Sequence, residues 1–88
     1  MKYSVNRDSA TWRILDGEAV IINNETSFYY SLNKTGTYIW NLLLEQELSL
    51  EEIVEKVGSR YQQKEGEVLE DIKNILDNLT GEKLVERR

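Results

Sequence analysis

The residues of this chain that could do chemistry are almost all carboxylates. The 88 residues include 16 Asp and Glu against 11 Lys and Arg, and they include no His and no Cys. Without these two residue types the chain cannot build a Cys–His pair, a Ser–His–Asp triad, or a metal site with imidazole or thiolate ligands. A metal site would therefore have to be built from carboxylates.

The carboxylates do not follow a catalytic or metal-binding pattern. Glu51-Glu52 and Glu70-Asp71 are neighbours in sequence, and residues at i and i+1 do not face each other on a helix. No EF-hand spacing and no Gly-rich phosphate loop is present. The sequence therefore predicts a protein that is not an enzyme, holds no metal ion and needs no cofactor, and whose carboxylates lie on solvated helix faces.

Composition narrows the class of protein further. A chain of 88 residues predicts one domain over residues 1–88, and 40% hydrophobic with 31% charged residues is typical of a globular rather than a disordered chain. The lack of Cys fits a reducing compartment, and no apolar run reaches the roughly 18 residues of a membrane span. We therefore expect a cytoplasmic protein with no membrane partner. The net charge of −5 disfavours binding to a nucleic-acid backbone.

Three antiparallel strands are predicted within about residues 11–32. Thr11–Leu15 alternates apolar and polar residues and ends at Asp16-Gly17, a strong hairpin signal. Ala19–Ile22 follows, and Asn23-Asn24-Glu25 forms a second turn. Tyr3–Val5 has the composition of an additional short strand.

The third strand of this meander is predicted to span Thr26–Leu32. Its β-branched and aromatic residues alternate between two faces. We expect Phe28, Tyr30 and Leu32 to face inward as scaffold, and Ser27, Tyr29 and Ser31 to face outward. The backbone edge of this strand is the part most suited to binding a partner.

Three helices are predicted over about residues 34–79. The first runs from Lys34 to Gln46 behind an Asn33 cap, and the second begins after Ser49, which forms a capping box with Glu52. The third runs from Gly66 to Asn78 and ends at Thr80-Gly81. Its apolar face consists of Val68, Ile72, Ile75, Leu76 and Leu79. Leu84-Val85 is expected to be a tail packed on the helices. The predicted fold class is α+β, with a three-stranded antiparallel sheet followed by three helices, like a truncated winged helix.

Two functions remain open for this arrangement. One is a winged-helix DNA-binding or regulatory domain in which the third helix reads DNA. The exposed face of that helix carries Glu67, Glu70, Asp71 and Asp77, with Lys73 as its one cation, and these carboxylates would repel phosphates. The other is an interaction module that accepts a peptide as an added strand, with backbone hydrogen bonds for affinity and side-chain pockets for specificity.

The order of these features resembles the PqqD family. The resemblance covers about residues 10–86 and is carried by joint order rather than by any single motif. Its residues are Ser31-Leu32-Asn33, Thr35-Gly36-Thr37, the apolar helix around Ile39-Trp40-Leu42-Leu43, Leu50-Glu51-Glu52-Ile53-Val54 with Tyr61, and Val68, Asp71-Ile72, Leu76, Leu79, Gly81 and Leu84-Val85. Stand-alone members of that family are also called RiPP recognition elements, and they serve the biosynthesis of ribosomally made, post-translationally modified peptides.

The resemblance implies a partner and a binding site. It implies that the chain binds the leader segment of a precursor peptide as a strand antiparallel to the third strand, in the cleft between that strand and the third helix. It also implies delivery of the precursor to a separate processing enzyme such as a leader protease, with a lasso-peptide pathway favoured. By position, the cleft residues would be Thr26, Ser27, Phe28, Tyr29, Tyr30, Ser31 and Leu32 on one side and Val68, Asp71, Ile72, Ile75, Leu76 and Leu79 on the other. A free strand edge also allows a strand-mediated dimer beside a monomer.

Overall fold

The computed structural model describes residues 1–88 as five short strands and three helices. In chain order these are β1 (Tyr3–Val5), β2 (Ala10–Leu15), β3 (Glu18–Asn23), β4 (Tyr29–Ser31), α1 (Lys34–Glu45), α2 (Leu50–Tyr61), α3 (Glu65–Gly81) and β5 (Val85–Arg87). The predicted α+β class, with an antiparallel sheet followed by three helices, is confirmed.

The strands β2, β3 and β4 form the predicted antiparallel meander in that spatial order. Trp12 lies opposite Ile21, and Ile21 lies opposite Tyr30. Asp16 and Gly17 both have positive φ, 53° and 80°, which is the geometry of a type I′ hairpin turn. The Asp-Gly prediction is therefore confirmed at the backbone level.

A second sheet joins the two ends of the chain. β1 pairs antiparallel with β5, with Val5 opposite Val85. Leu84 and Val85 are buried, as expected for a tail that packs on the helices, but Val85–Arg87 is also a strand, which was not predicted. Both ends are short, and the pairing depends on residues about as far apart in sequence as the chain permits, so no local pattern signals it.

The helix caps agree with the sequence signals. The Asn33 side chain accepts a hydrogen bond from the Gly36 N–H at 2.8 Å. Ser49 and Glu52 form both halves of the capping box. The Ser49 N–H donates to the Glu52 carboxylate at 2.9 Å, and the Glu52 N–H donates to the Ser49 hydroxyl at 3.2 Å. These contacts satisfy donors that a helix N-terminus otherwise leaves free.

The end of α3 differs from the prediction. The helix continues through Gly81 rather than stopping at Asn78, and the residue in the left-handed region is Lys83, with φ 61°. The Lys83 N–H donates to the Thr80 carbonyl at 3.0 Å, and the Leu84 N–H donates to the Leu79 carbonyl at 2.9 Å. These two bonds form a Schellman motif, which turns the chain from α3 into β5.

The apolar core lies between the meander and the helices. Its fully buried large side chains are Trp40, Ile21, Ile39, Ile53, Ile72, Leu76, Leu84, Val57 and Val85. The Trp12 and Trp40 rings pack edge to face with their centroids 5.6 Å apart, and this contact stabilises the packing of β2 on α1. The core thereby fixes the position of α3 relative to β4, the two elements that border the site.

Candidate functional site

β4 begins three residues later than predicted, at Tyr29 instead of Thr26. The turn before it is held by Asn23, whose side-chain oxygen accepts from the N–H groups of Glu25 and Thr26 at 2.9 and 3.2 Å. Ser27 has φ 63°, a left-handed conformation that a continuous strand does not allow. Thr26, Ser27 and Phe28 are therefore residues of the turn, at one end of the site.

β4 is an edge strand with its outer side open. The Asn23 N–H donates to the Phe28 carbonyl, and the Leu32 N–H donates to the Ala19 carbonyl, both at 2.9 Å. Even-numbered residues thus point their backbone groups at β3. Because backbone groups alternate along an antiparallel strand, the N–H and C=O of Tyr29 and Ser31 point away from the sheet. These four groups can pair with another strand.

A cleft lies between this edge and α3. Its main cavity has a volume of 380 Å³ and is lined by Tyr29, Tyr30, Ser31, Leu32, Asn33, Gly36, Ile75, Asn78 and Leu79. A second cavity of 290 Å³ is lined by Asn33, Thr35, Asp71, Asn74 and Ile75. The two cavities share Asn33 and Ile75, so they form one continuous cleft along the helix.

The predicted faces of the third strand are correct only in part. Tyr30 and Leu32 are half-buried and pack against the core, as expected. Phe28 was predicted to be inward scaffold, but 65% of it is exposed. The Ser27 turn places Phe28 beyond the regular strand, where no helix covers it. Tyr29 is 71% exposed beside the open backbone edge.

On the α3 side, the predicted residues divide between core and cleft. Val68, Ile72 and Leu76 are buried in the core and line neither cavity of the cleft. Their burial sets the position of α3. Asp71, Ile75 and Leu79 border the cleft; Asp71 is exposed and Ile75 is half-buried.

Sequence reasoning missed five polar or small residues that line the cleft: Asn33, Thr35, Gly36, Asn74 and Asn78. The two asparagines of α3 could have been found, because Asn74 and Asn78 follow Asp71 by three and seven positions and so lie on the same face of the helix. Gly36 has a packing role, since a Cβ there would lie 3.2 Å from the Leu32 Cβ.

Polar groups mark the two ends of the cleft. At the Tyr30 end, the pKa of the Tyr30 phenol is raised. The largest cause is the Glu82 carboxylate acting as a hydrogen-bond acceptor; partial burial of the phenol and the negative charge of Glu82 add smaller effects. At the other end is Asp71, beside Thr35 and Asn74. The centre, around Ile75, Leu79 and Leu32, is apolar.

The largest hollow on the molecule is elsewhere and has different chemistry. It measures 780 Å³, lies beside the end of α3 and β5, and has Val85 as its one hydrophobic lining residue. An extended peptide with apolar side chains would find little apolar surface there. The structure contains no group of three or more carboxylates close enough to hold a metal ion, and none of its helices has the length and hydropathy to cross a bilayer.

Comparison with known proteins found one family and one similar solved structure. The family model described as Coenzyme PQQ synthesis protein D, PqqD, matches residues 18–85. A solved structure, TbiB1 in complex with the TbiA(beta) leader peptide, superposes with a TM-score of 0.83 at 28% sequence identity, over 97% of this chain and 96% of that one. No curated protein matches the sequence.

Proposed function

This chain belongs to the PqqD family, and from that premise we propose that it binds the leader segment of a ribosomally made precursor peptide. The leader adds as a strand antiparallel to β4 and fills the cleft between β4 and α3. The observation that carries the proposal is the open edge of β4, with the N–H and C=O groups of Tyr29 and Ser31 facing outward, directly beside an apolar cleft.

The edge and the cleft supply the two kinds of interaction that strand addition needs. Tyr29 and Ser31 offer up to four backbone hydrogen bonds, each worth about 0.5–1.5 kcal/mol net. Ile75 and Leu79 offer apolar surface, and each aliphatic side chain buried there contributes about 1.5–3 kcal/mol. A free leader is disordered, and ordering it costs about 2–5 kcal/mol. A preformed edge and cleft offset this cost because the protein itself has little to rearrange.

The role we propose is binding and delivery, without catalysis by this chain. The bound precursor is presented to a separate processing enzyme, such as a leader protease, in a lasso-peptide or related pathway. TbiB1, the similar structure, was solved with a leader peptide, which supports a leader as the ligand here. Because the precursor is made by the ribosome, the encounter takes place in the cytoplasm.

The test is a titration of the full chain with fluorescently labelled candidate leaders, beginning with the TbiA(beta) leader that the similar structure contains. We expect saturable binding that Ile75→Asp weakens about 10- to 150-fold, the equivalent of one buried aliphatic side chain. The matched control is Leu69→Asp, another half-buried aliphatic residue of α3 that borders the α2 side instead, and it should bind normally. Circular dichroism should show that both variants keep their helices.

Two results would contradict the proposal. One is the absence of binding tighter than high micromolar for every candidate leader. The other is equal weakening by Ile75→Asp and Leu69→Asp, which would show that the cleft is not the site. The titration should be repeated at several protein concentrations, because an open edge can also pair with a second copy.

A further inference from the structure

α3 presents one side chain per turn to the cleft. Asp71, Ile75 and Leu79 are spaced at i, i+4 and i+8 and all border it. Successive members of this row lie about 6 Å apart along the helix axis, since each residue rises about 1.5 Å. The row begins with an exposed carboxylate, continues with a half-buried isoleucine and ends with a buried leucine.

An extended strand has nearly the same spacing on one face. Its side chains alternate, so every second residue faces the same way, about 6.6–6.8 Å apart. A strand lying along α3 therefore brings one side chain to each helical turn. Residues i, i+2 and i+4 of the ligand would meet Asp71, Ile75 and Leu79 in turn or in reverse, depending on the direction of the ligand.

The direction follows from the relative orientation of α3 and β4. Asp71, in the first half of α3, shares a cavity with Asn33 and Thr35, which follow β4. Glu82, just past the end of α3, accepts a hydrogen bond at 3.0 Å from the Asn23 side chain, and Asn23 pairs with Phe28 just before β4. The helix and β4 thus run in opposite directions. A strand antiparallel to β4 runs in the same direction as α3, with its N-terminal end at Asp71.

We infer that the ligand of this cleft carries a Lys or Arg followed by apolar residues two and four positions later. The basic residue would lie at Asp71, and the two apolar residues at Ile75 and Leu79. Asp71 is free to pair, because the ion pairs of the protein are Lys2–Glu52 and Arg88–Glu86. This inference rests on the proposed function and on the antiparallel pairing within it.

The same direction locates the exit of the peptide. The C-terminal end of the bound segment leaves the cleft past Leu79, near Tyr30 and Glu82. In a precursor the core peptide follows the leader. The exposed Phe28 beside this exit then lies where the core peptide emerges and where the processing enzyme must reach it.

The experiment is selection of random peptides displayed on phage against the immobilised full chain and three variants. The wild type should enrich peptides in which one Lys or Arg is followed by apolar residues two and four positions later. Asp71→Lys should shift that first position to Asp or Glu and keep the apolar positions. Glu70→Lys makes the same charge change at a neighbouring exposed position that lines neither cavity, and it should select the same peptides as the wild type.

A charge swap measures the contact directly. Asp71→Lys should bind the best selected peptide about three- to tenfold more weakly, as expected for reversal of an exposed ion pair, and Glu in place of the peptide's basic residue should restore the affinity. An unchanged charge preference on Asp71→Lys would overturn the inference and leave the proposed function intact. The third variant, Ser31→Pro, blocks the β4 edge. If it selected the same peptides, or if no peptide were enriched on the wild type, the proposed function would fail and the inference with it.

Discussion

The substitution Ser31→Pro tests strand addition at a single backbone group. Ser31 is an exposed residue of β4, and its N–H points away from β3, because the even-numbered residues on either side face β3. Proline removes this donor and places its ring at the edge. It removes no hydrogen bond within the sheet, which is the situation in which an edge strand tolerates proline.

The expected loss of affinity follows from that one group. The variant loses a leader hydrogen bond worth about 0.5–1.5 kcal/mol and leaves a leader carbonyl unpaired in the cleft, which costs about 1–3 kcal/mol. The combined loss of about 1.5–4.5 kcal/mol corresponds to a Kd about 10- to 2,000-fold weaker. The free energy of unfolding should change little, since the sheet keeps its own bonds.

Fluorescence anisotropy with a labelled leader measures the Kd, and thermal unfolding by circular dichroism shows whether the variant remains folded. Ser31→Ala is the control, because it removes the side chain and keeps the N–H; its Kd should stay within about twofold of the wild type, as is usual for surface substitutions. A folded Ser31→Pro protein that binds the leader as tightly as the wild type would refute pairing at the β4 edge.

Three further predictions concern the scaffold. Asn23→Ala should lower the free energy of unfolding by about 2–4 kcal/mol in a urea titration, because it removes the hydrogen bond to the Glu82 carbonyl and both bonds that hold the turn before β4. Lys83→Gly should raise the free energy of unfolding in the same titration by about 0.5–1 kcal/mol, because glycine accepts the φ of 61° at this position without a Cβ penalty. Backbone and side-chain hydrogen bonds from Ser49 hold the pKa of Glu52 below its ordinary value of 4.5. The ionised Glu52 therefore stabilises the folded chain above about this pH and loses that effect as the pH falls through the lowered pKa. Glu52→Gln should flatten this part of the acid-unfolding curve, and an unchanged curve would contradict the assignment.

The sequence was most informative where a structure depends on a few consecutive residues. The Asp16-Gly17 turn, the Asn33 cap and the capping box of Ser49 and Glu52 all form as predicted. In each case the structure depends on a hydrogen bond or a φ angle of residues at most three positions apart, so the sequence pattern contains all the residues involved. The same holds for the apolar face of α3, whose helical spacing correctly predicted burial of Val68, Ile72, Leu76 and Leu79.

The errors have non-local causes. Thr26–Leu32 has the composition of a strand, but the buried Asn23 side chain and its bond to the Glu82 carbonyl hold the first part as a turn. This contact joins residues 59 positions apart, so strand propensity could not reveal it. Phe28 is exposed for the same reason. The pairing of β1 with β5 likewise depends on the whole fold bringing the two ends together.

These corrections make the candidate site smaller and more specific. Ile72 follows the helical period of the apolar face, which predicts a contact residue, but it is fully buried. A charge there would unfold the protein rather than report on binding. Ile75 and Leu79 are the residues of that face which line the cleft, and Ile75 is the more exposed of the two. A hydrophobic stripe in sequence identifies the face of a helix, but the packing of its neighbours decides which members are left to bind.

The position of α3 also bears on the DNA-binding alternative. A recognition helix must present a face that can enter the major groove and come close to phosphates. The face of α3 next to β4 lines a narrow cleft and carries Asp71 with the neutral Asn74 and Asn78. None of its cleft residues is a cation, so phosphates would be repelled without compensation. An extended peptide with a basic residue is the ligand that we propose for this surface. A mobility-shift assay at low salt should accordingly show no DNA complex.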